Sequence, residues 1–248
     1  MNICILENDA IDPEARSRFE RYGHMFQNLF HQAGANGWTY EIFHTPLGEY
    51  PDTFERFDAV LLTGSKADSF SQEAWVLELR QRVVELIAQK KTLLGICFGH
   101  QLIALCLGAP VGRAPQGWGI GSMTHAWHKV PTPPSTTQET TPPAVKLIVS
   151  HQDQVLALPA QAVLLASNPH CPVAAYALGQ EIFCVQGHPE FEADYSAYLI
   201  NQRRERLGQA LYEQGLNSLK DGHDGVVVAR MMVDFVHNKR SKQTAFVV

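Results

Sequence analysis

The chain has 248 residues, 45% of them apolar, with 20 Lys and Arg against 25 Asp and Glu for a net charge of −5. That length and content suit one large globular domain, or two small ones, with a substantial buried core. The acidic balance excludes the electrostatic footprint of a nucleic-acid binder, and no apolar run approaches the roughly 18 residues of a membrane span.

The N-terminal MNICILENDA has no positive n-region, which excludes a signal peptide, and NICILE reads as a first strand. PEARSRFERYGHMFQNLFHQAG reads as one helix, with Pro13 near its start and Gly34 at its stop. WTYEIFH and DAVLLTG follow as strands, SQEAWVLELRQRVVELIAQ as an amphipathic helix, and TLLGIC as a strand that runs into a helix from Gly99. Buried strands alternating with helices predict an α/β fold with a mostly parallel central sheet flanked by helices on both faces. In the second half GIGSMTHAW, VKLIVSH, AVLLASN, VAAYAL and EIFCVQGHPE are shorter strands at hairpin-like spacing, which predicts an antiparallel extension of that sheet. The Pro- and Thr-rich KVPTPPSTTQETTPPAV between two of them reads as an exposed loop.

Helical patterns fill the rest: EADYSAYLINQRRERL, QALYEQGLNSL and HDGVVVARMMVDFVHN. The stripe Val227, Met231, Met232, Phe235 reads as core packing. The short basic clusters Arg203, Arg204, Arg206 and Lys239, Arg240, Lys242 read as a solvated helix face and a tail. The whole chain, 1–248, is expected to be one domain, a core over 1–192 with a helical segment, 193–248, packed on it. Five scattered cysteines without a C-x-x-C pair argue against a disulfide framework and a zinc site, and for a reducing cytoplasm. His125 and His128 of HAWH have an H-x-x-H spacing without a nearby carboxylate, which reads as strand surface; no metal site or cofactor motif is indicated.

One stretch carries chemistry. In GICFGHQ, Cys97 stands between Gly95 and Gly99 where a strand turns into a helix. Such a turn resembles a nucleophile elbow, and the helix N-terminus favours a thiolate. A buried, inert cysteine is the competing reading, and the stretch alone leaves the two about even. The base is found in CVQGHPEF: in extended chain His188 and Glu190 project to one face, so that the carboxylate can orient the imidazole while the imidazole reaches the sulfur.

These residues resemble the triad-type class I glutamine amidotransferases. The resemblance runs over about residues 50–192, through LLTGS, GICFGHQLIA, GWGIG, SHQDQV and GHPEF, and is greatest to stand-alone members related to the glutaminase domain of GMP synthase. It implies a flavodoxin-like fold with Cys97 as nucleophile, His188 as base and Glu190 as orienting carboxylate. It also implies an oxyanion hole built by the N–H groups of Phe98 and of Gly64 or Ser65. Gln101 and, through backbone contacts, Ser150 and His151 would hold the substrate; Asp153 has the same motif position or a capping role. Three departures stand out: Thr63-Gly64-Ser65 lacks a second glycine, Gly119 replaces the glutamate of G-W-E-I-G, and Gln186-Gly187 replaces an aromatic residue before H-P-E. The expected activity is hydrolysis of the glutamine side-chain amide to glutamate and ammonia through a γ-glutamyl thioester, feeding a separate synthase subunit. Hydrolysis of γ-glutamyl peptides or conjugates by the same triad, and a non-catalytic binding role, are the alternatives.

Overall fold

A computed structural model describes residues 1–131 and 142–245, the side chains of 240–245 excepted. In the first half, β1 (Asn2–Glu7), α1 (Arg16–Phe19), α2 (Tyr22–Gln32), β2 (Thr39–His44), β3 (Ala59–Leu62), α3 (Ala74–Ala88) and β4 (Leu93–Ile96) alternate much as the apolar pattern predicts, and α4 (Phe98–Cys106) follows β4 after one residue. The second half holds β5 (Val111–Arg113), β6 (Gly119–Trp127), β7 (Ala144–His151), β8 (Asp153–Val155), β9 (Val163–Ser167), β10 (Ala175–Leu178) and β11 (Ile182–Val185). Three helical segments follow: α5 (Ala193–Gln202), α6 (Arg204–Ser218), which is kinked at Gly208 (φ 72, ψ 162), and α7 (Gly225–Ala245). No helix among the described residues is long and apolar enough to cross a membrane.

Nine strands form one sheet in the order β2-β1-β3-β4-β11-β10-β9-β6-β7. From β2 to β11 neighbours run parallel, and from β11 to β7 they run antiparallel, which is the predicted parallel core with its extension. The parallel strands AVLL, LLGI and IFCV are buried at every position because helices cover both faces, which is why they read as continuous apolar runs. Alternate residues feed two cores. Ile3, Ile5, Leu94 and Phe183 pack with Phe26 and Phe30 of α2 and Met232 and Phe235 of α7. Cys4, Leu6, Leu93 and Cys184 face the other way, onto Val76 and Leu79 of α3 and Leu102 of α4. A third core joins Ile120 and Ile148 to Tyr195 and Ile200, seating α5 on the extension.

The chain departs from its sequence reading in two places. The helix expected over 13–34 is broken, with Glu20 at φ 55 and Arg21 extended before α2. The cause is Glu7, buried at the end of β1: its carboxylate accepts from Arg21 Nε at 3.1 Å and from the Gly23 N–H at 2.9 Å, so it caps α2 and holds the chain out of helical geometry there. The short strands β5 and β8, which pair antiparallel as a separate ribbon, carry too few residues for a periodic signal. Of the expected loop at 129–145, residues 132–141 lie outside the described residues.

Candidate active site

β4 and β11 are parallel neighbours, with Ile96 opposite Val185, so the chain beyond each leaves the sheet at the same carboxyl edge. That is the edge where open α/β sheets hold their ligands. Topology alone therefore brings the segment after β4, with Cys97, beside the segment after β11, with His188 and Glu190.

Cys97 has φ 50 and ψ −101, a conformation that a side-chain-bearing residue adopts only when its surroundings enforce it. Its N–H donates to Val185 O at 2.9 Å. The flanking glycines are required by contact: a Cβ on Gly99 would lie 2.4 Å from Leu62 O, and one on Gly95 would lie 2.8 Å from Cys184 Sγ. Close packing of β3, β4 and α4 thus fixes the elbow, which is the physical content of the G-x-C-x-G spacing.

His188 Nδ1 lies 2.8 Å from Glu190 Oε1, and both side chains are buried. Burial works against charge on the imidazole, but the Glu190 carboxylate and the Cys97 thiol, which is its other hydrogen-bond partner, outweigh it and push the His188 pKa up to about 10. Two further contacts orient the ring. The His188 N–H donates to Ile148 O at 2.8 Å, and the imidazole stacks on Phe191 with centroids 3.9 Å apart and planes 7° from parallel. Phe191 is the residue that sequence reasoning passed over, although it stands in the quoted GHPEF. Burial pushes the thiols of Cys171 and Cys184 up to about 12 and that of Cys106 up to about 11.

Gly64 closes the third side. A Cβ there would lie 2.7 Å from His188 Cε1 and 3.6 Å from Cys97 Cβ, so its backbone passes directly over the pair. Asn8 anchors this turn through Asn8 Nδ2 to Thr63 O at 2.9 Å and Asn8 N–H to Thr63 Oγ1 at 2.9 Å. Among the described residues the N–H groups of Gly64, Ser65 and Phe98 donate to no protein acceptor, and the Ser65 hydroxyl accepts from the Ala67 N–H. Three N–H groups without a protein acceptor thus stand on the two segments that border Cys97 and His188.

The remaining expected residues line a hollow that opens from Cys97. Gln101 donates both amide hydrogens, to Asp153 O at 2.8 Å and Gln186 Oε1 at 3.1 Å, which leaves its carbonyl uncommitted. The Ser150 hydroxyl accepts from Arg203, and His151, opposite Gly119 in the β6–β7 ladder, is kept neutral by burial with its pKa lowered to about 3. Asp153 is ion-paired to Arg113 at 2.8 Å, and Arg113 also reaches Asp68 at 3.0 Å; burial nevertheless raises the Asp153 pKa to about 6 against the pull of Arg113. A second hollow adjoins the first along Ser65, Lys66, Ser150 and Arg203 and is lined further by His188, Phe191, Tyr22, Tyr195, Leu199 and the carboxylates of Asp9 and Asp12. Gly187, the other departure, backs onto Leu147, where a Cβ would sit 2.9 Å from Leu147 Cβ. His125 is buried and His128 bonds Ser167 Oγ at 2.9 Å, and no group of three or more His, Cys, Asp or Glu among the described residues is arranged to hold a metal.

One reading of the sequence is corrected here. Arg203 and Arg206 do not form a plain solvated face: both guanidiniums lie over the Trp118 ring, at 5.6 and 5.5 Å, and line the hollow that contains Cys97. The sequence signal for this was slight, a three-residue spacing at the start of a helix.

Known proteins resemble this chain in sequence and in fold. The sequence model of the family described as Glutamine amidotransferase class-I matches residues 19–202. Gamma-glutamyl peptidase 3 of Arabidopsis thaliana is 34% identical over 185 residues, which cover 73% of this chain and 74% of that protein. The glutamine-hydrolysing GMP synthase of Aeropyrum pernix is 29% identical over 171 residues, 68% of this chain but 31% of that enzyme. A glutamine amidotransferase of Thermotoga maritima shares the fold, with a TM-score of 0.74 at 18% identity, covering 95% of this chain and 98% of its own. The chain is a member of the class I glutamine amidotransferase family of enzymes.

Proposed function

We propose that this enzyme hydrolyses γ-glutamyl amide bonds through Cys97, with γ-glutamyl peptides or conjugates as substrates. The observation that carries the reading is the triad geometry: His188 held by Glu190 at 2.8 Å, with the Cys97 thiol on its other side. With its pKa pushed up to about 10, His188 is an imidazolium at neutral pH and stabilises a thiolate partner. The sulfur attacks the γ-carbonyl carbon, and the oxygen takes up the negative charge toward the free N–H groups of Phe98 and the Gly64 turn. His188 gives its proton to the departing nitrogen, the C–N bond breaks, and a γ-glutamyl thioester remains on Cys97. A water then attacks the thioester with His188 as base, which releases glutamate and restores the thiol. Gln101, Ser150 and His151 line the acyl side of this path.

Two features favour a leaving group larger than ammonia. The hollow beside His188 joins an aromatic and aliphatic wall of Tyr22, Phe191, Tyr195 and Leu199 to the polar groups Asp9, Asp12, Lys66 and Ser150, a mixed lining suited to a peptide-like leaving group. The plant relative that matches over about three quarters of its own length is a γ-glutamyl peptidase. The match to a segment of a GMP synthase favours a second reading, a glutaminase that passes ammonia to a separate synthase subunit. Glutamate release from glutamine and from a γ-glutamyl dipeptide, measured for wild type and Cys97→Ala, separates the two. Faster release from the dipeptide, abolished in the variant, is the expected result. Release from glutamine alone supports the glutaminase, and release from neither overturns both.

A further inference from the structure

We infer that Arg203 and Arg206, seated on Trp118, bind the α-carboxylate of the γ-glutamyl acyl group, an assignment that rests on the γ-glutamyl hydrolase reading above. The direction of the substrate follows from the chemistry. His188 must come within hydrogen-bond reach of the leaving nitrogen, so the leaving group occupies the hollow beside His188. The acyl group then extends into the adjoining hollow with Cys97 and Gln101, which Trp118 and Arg206 line and which meets the first hollow along Ser150 and Arg203. A γ-glutamyl group is distinguished from other acyl chains by the carboxylate and ammonium at its far end.

The charges of that hollow are unevenly satisfied. Lys66 has Asp9 at 3.3 Å, and Arg113 has Asp68 at 3.0 Å and Asp153 at 2.8 Å. Arg203 bonds only the Ser150 hydroxyl, and no carboxylate among the described residues pairs with Arg203 or with Arg206. Two like charges are nonetheless held together, because α5 ends at Gln202 and α6 begins at Arg204, with Arg203 at the joint (φ −102, ψ 8). The three-residue spacing then turns Arg203 and Arg206 to the same side, where the face of Trp118 holds each guanidinium by cation–π attraction. A pair of pre-positioned guanidiniums that form no ion pair among the described residues, in a hollow that starts at the nucleophile, is a seat for a carboxylate. The Ser150 hydroxyl accepts from Arg203, which ties the family motif segment to the helical corner.

Three chromogenic anilides test this: γ-glutamyl, glutaryl, which keeps the carboxylate and lacks the amine, and γ-aminobutyryl, which keeps the amine and lacks the carboxylate. Arg206 is exposed, so Arg206→Gln leaves the fold intact. The variant is expected to raise KM roughly 10- to 100-fold on the γ-glutamyl and glutaryl anilides with little change in kcat, and to leave kcat/KM on the γ-aminobutyryl anilide unchanged. Arg203→Gln should show the same selectivity. Equal losses on all three anilides, or no loss on any, overturn the assignment. So does a loss seen with γ-glutamylglycine and not with the γ-glutamyl anilide, which would put the carboxylate on the leaving group. Wild-type enzyme that cleaves none of the γ-glutamyl compounds overturns the proposed function itself, a result distinct from cleavage that is indifferent to the arginines.

Discussion

The two ends of the cleft are built on opposite principles. At the elbow every group is buried and crowded: Cys97 is held at a positive φ, its neighbouring glycines have no room for a Cβ, and Gly64 lies against the imidazole. At the outer rim Arg206 is exposed and Arg203 and Trp118 are half-buried, on a joint between two helices, and the contacts are cation–π and a single hydroxyl. The crowded end fixes atoms to within a fraction of an ångström, as bond making requires. The open end sets charge and little else. Substitutions at the elbow should therefore strike turnover of every substrate, whereas substitutions at the rim should choose among substrates.

The largest effect is expected for Cys97→Ala, a loss on the order of 10⁵-fold in kcat on glutamine and γ-glutamyl peptides alike. Turnover near the wild-type level in this variant would remove the mechanism. Gly64→Ala comes next. Its methyl group would press on His188 Cε1, and displacing the ring should cost roughly 100-fold in kcat with the circular dichroism spectrum unchanged. Wild-type activity there would show that the turn is looser than the 2.7 Å approach implies.

Glu190→Gln should cost roughly 100-fold and leave a signature in pH. The Glu190 charge is one of the causes that raise the His188 pKa to about 10. In the wild type His188 therefore keeps its proton through the neutral range, and kcat/KM falls on the alkaline side as pH rises through about 10. Removing the carboxylate lowers that pKa, so the alkaline limb moves to lower pH. A limb that stays in place would detach Glu190 from the protonation of His188. The rim change Arg206→Gln should be smaller than any of these and confined to substrates that carry the α-carboxylate. Smallest is Cys106→Ser, which should leave kcat, KM and alkylation of Cys97 unaltered. Cys106 stands at the far end of α4 with its thiol pushed up to about 11 by burial, so loss of activity on its removal would contradict the distinction between the two thiols.

The elbow was legible in the sequence because crowding restricts residue type. Only glycine fits at positions 95 and 99, which makes the elbow a visible motif, and two strand ends at one sheet edge make GHPEF its natural complement. The parallel strands were equally plain, since burial on both faces leaves continuous apolar runs. The break at Glu20 and Arg21 was not, because it depends on Glu7, fourteen residues earlier than Arg21 and in another element, drawing on the helix start. The setting of the basic cluster 203–206 was hidden for a related reason: local charge density leaves Arg204 and Arg206 exposed as read, but does not say that Arg203 and Arg206 lie over the Trp118 ring.

What the sequence determined by itself is the residues that meet at the elbow and the layering of the fold, since both rest on local spacing: a cysteine between glycines, a histidine two residues from a glutamate, apolar runs of strand length. What only the tertiary structure decided is which groups share the cleft with the reacting atoms. Trp118 at the start of one strand and Arg203 and Arg206 at a helix joint come together through the packing of α5 and α6 on β6, a long-range contact that no local pattern encodes.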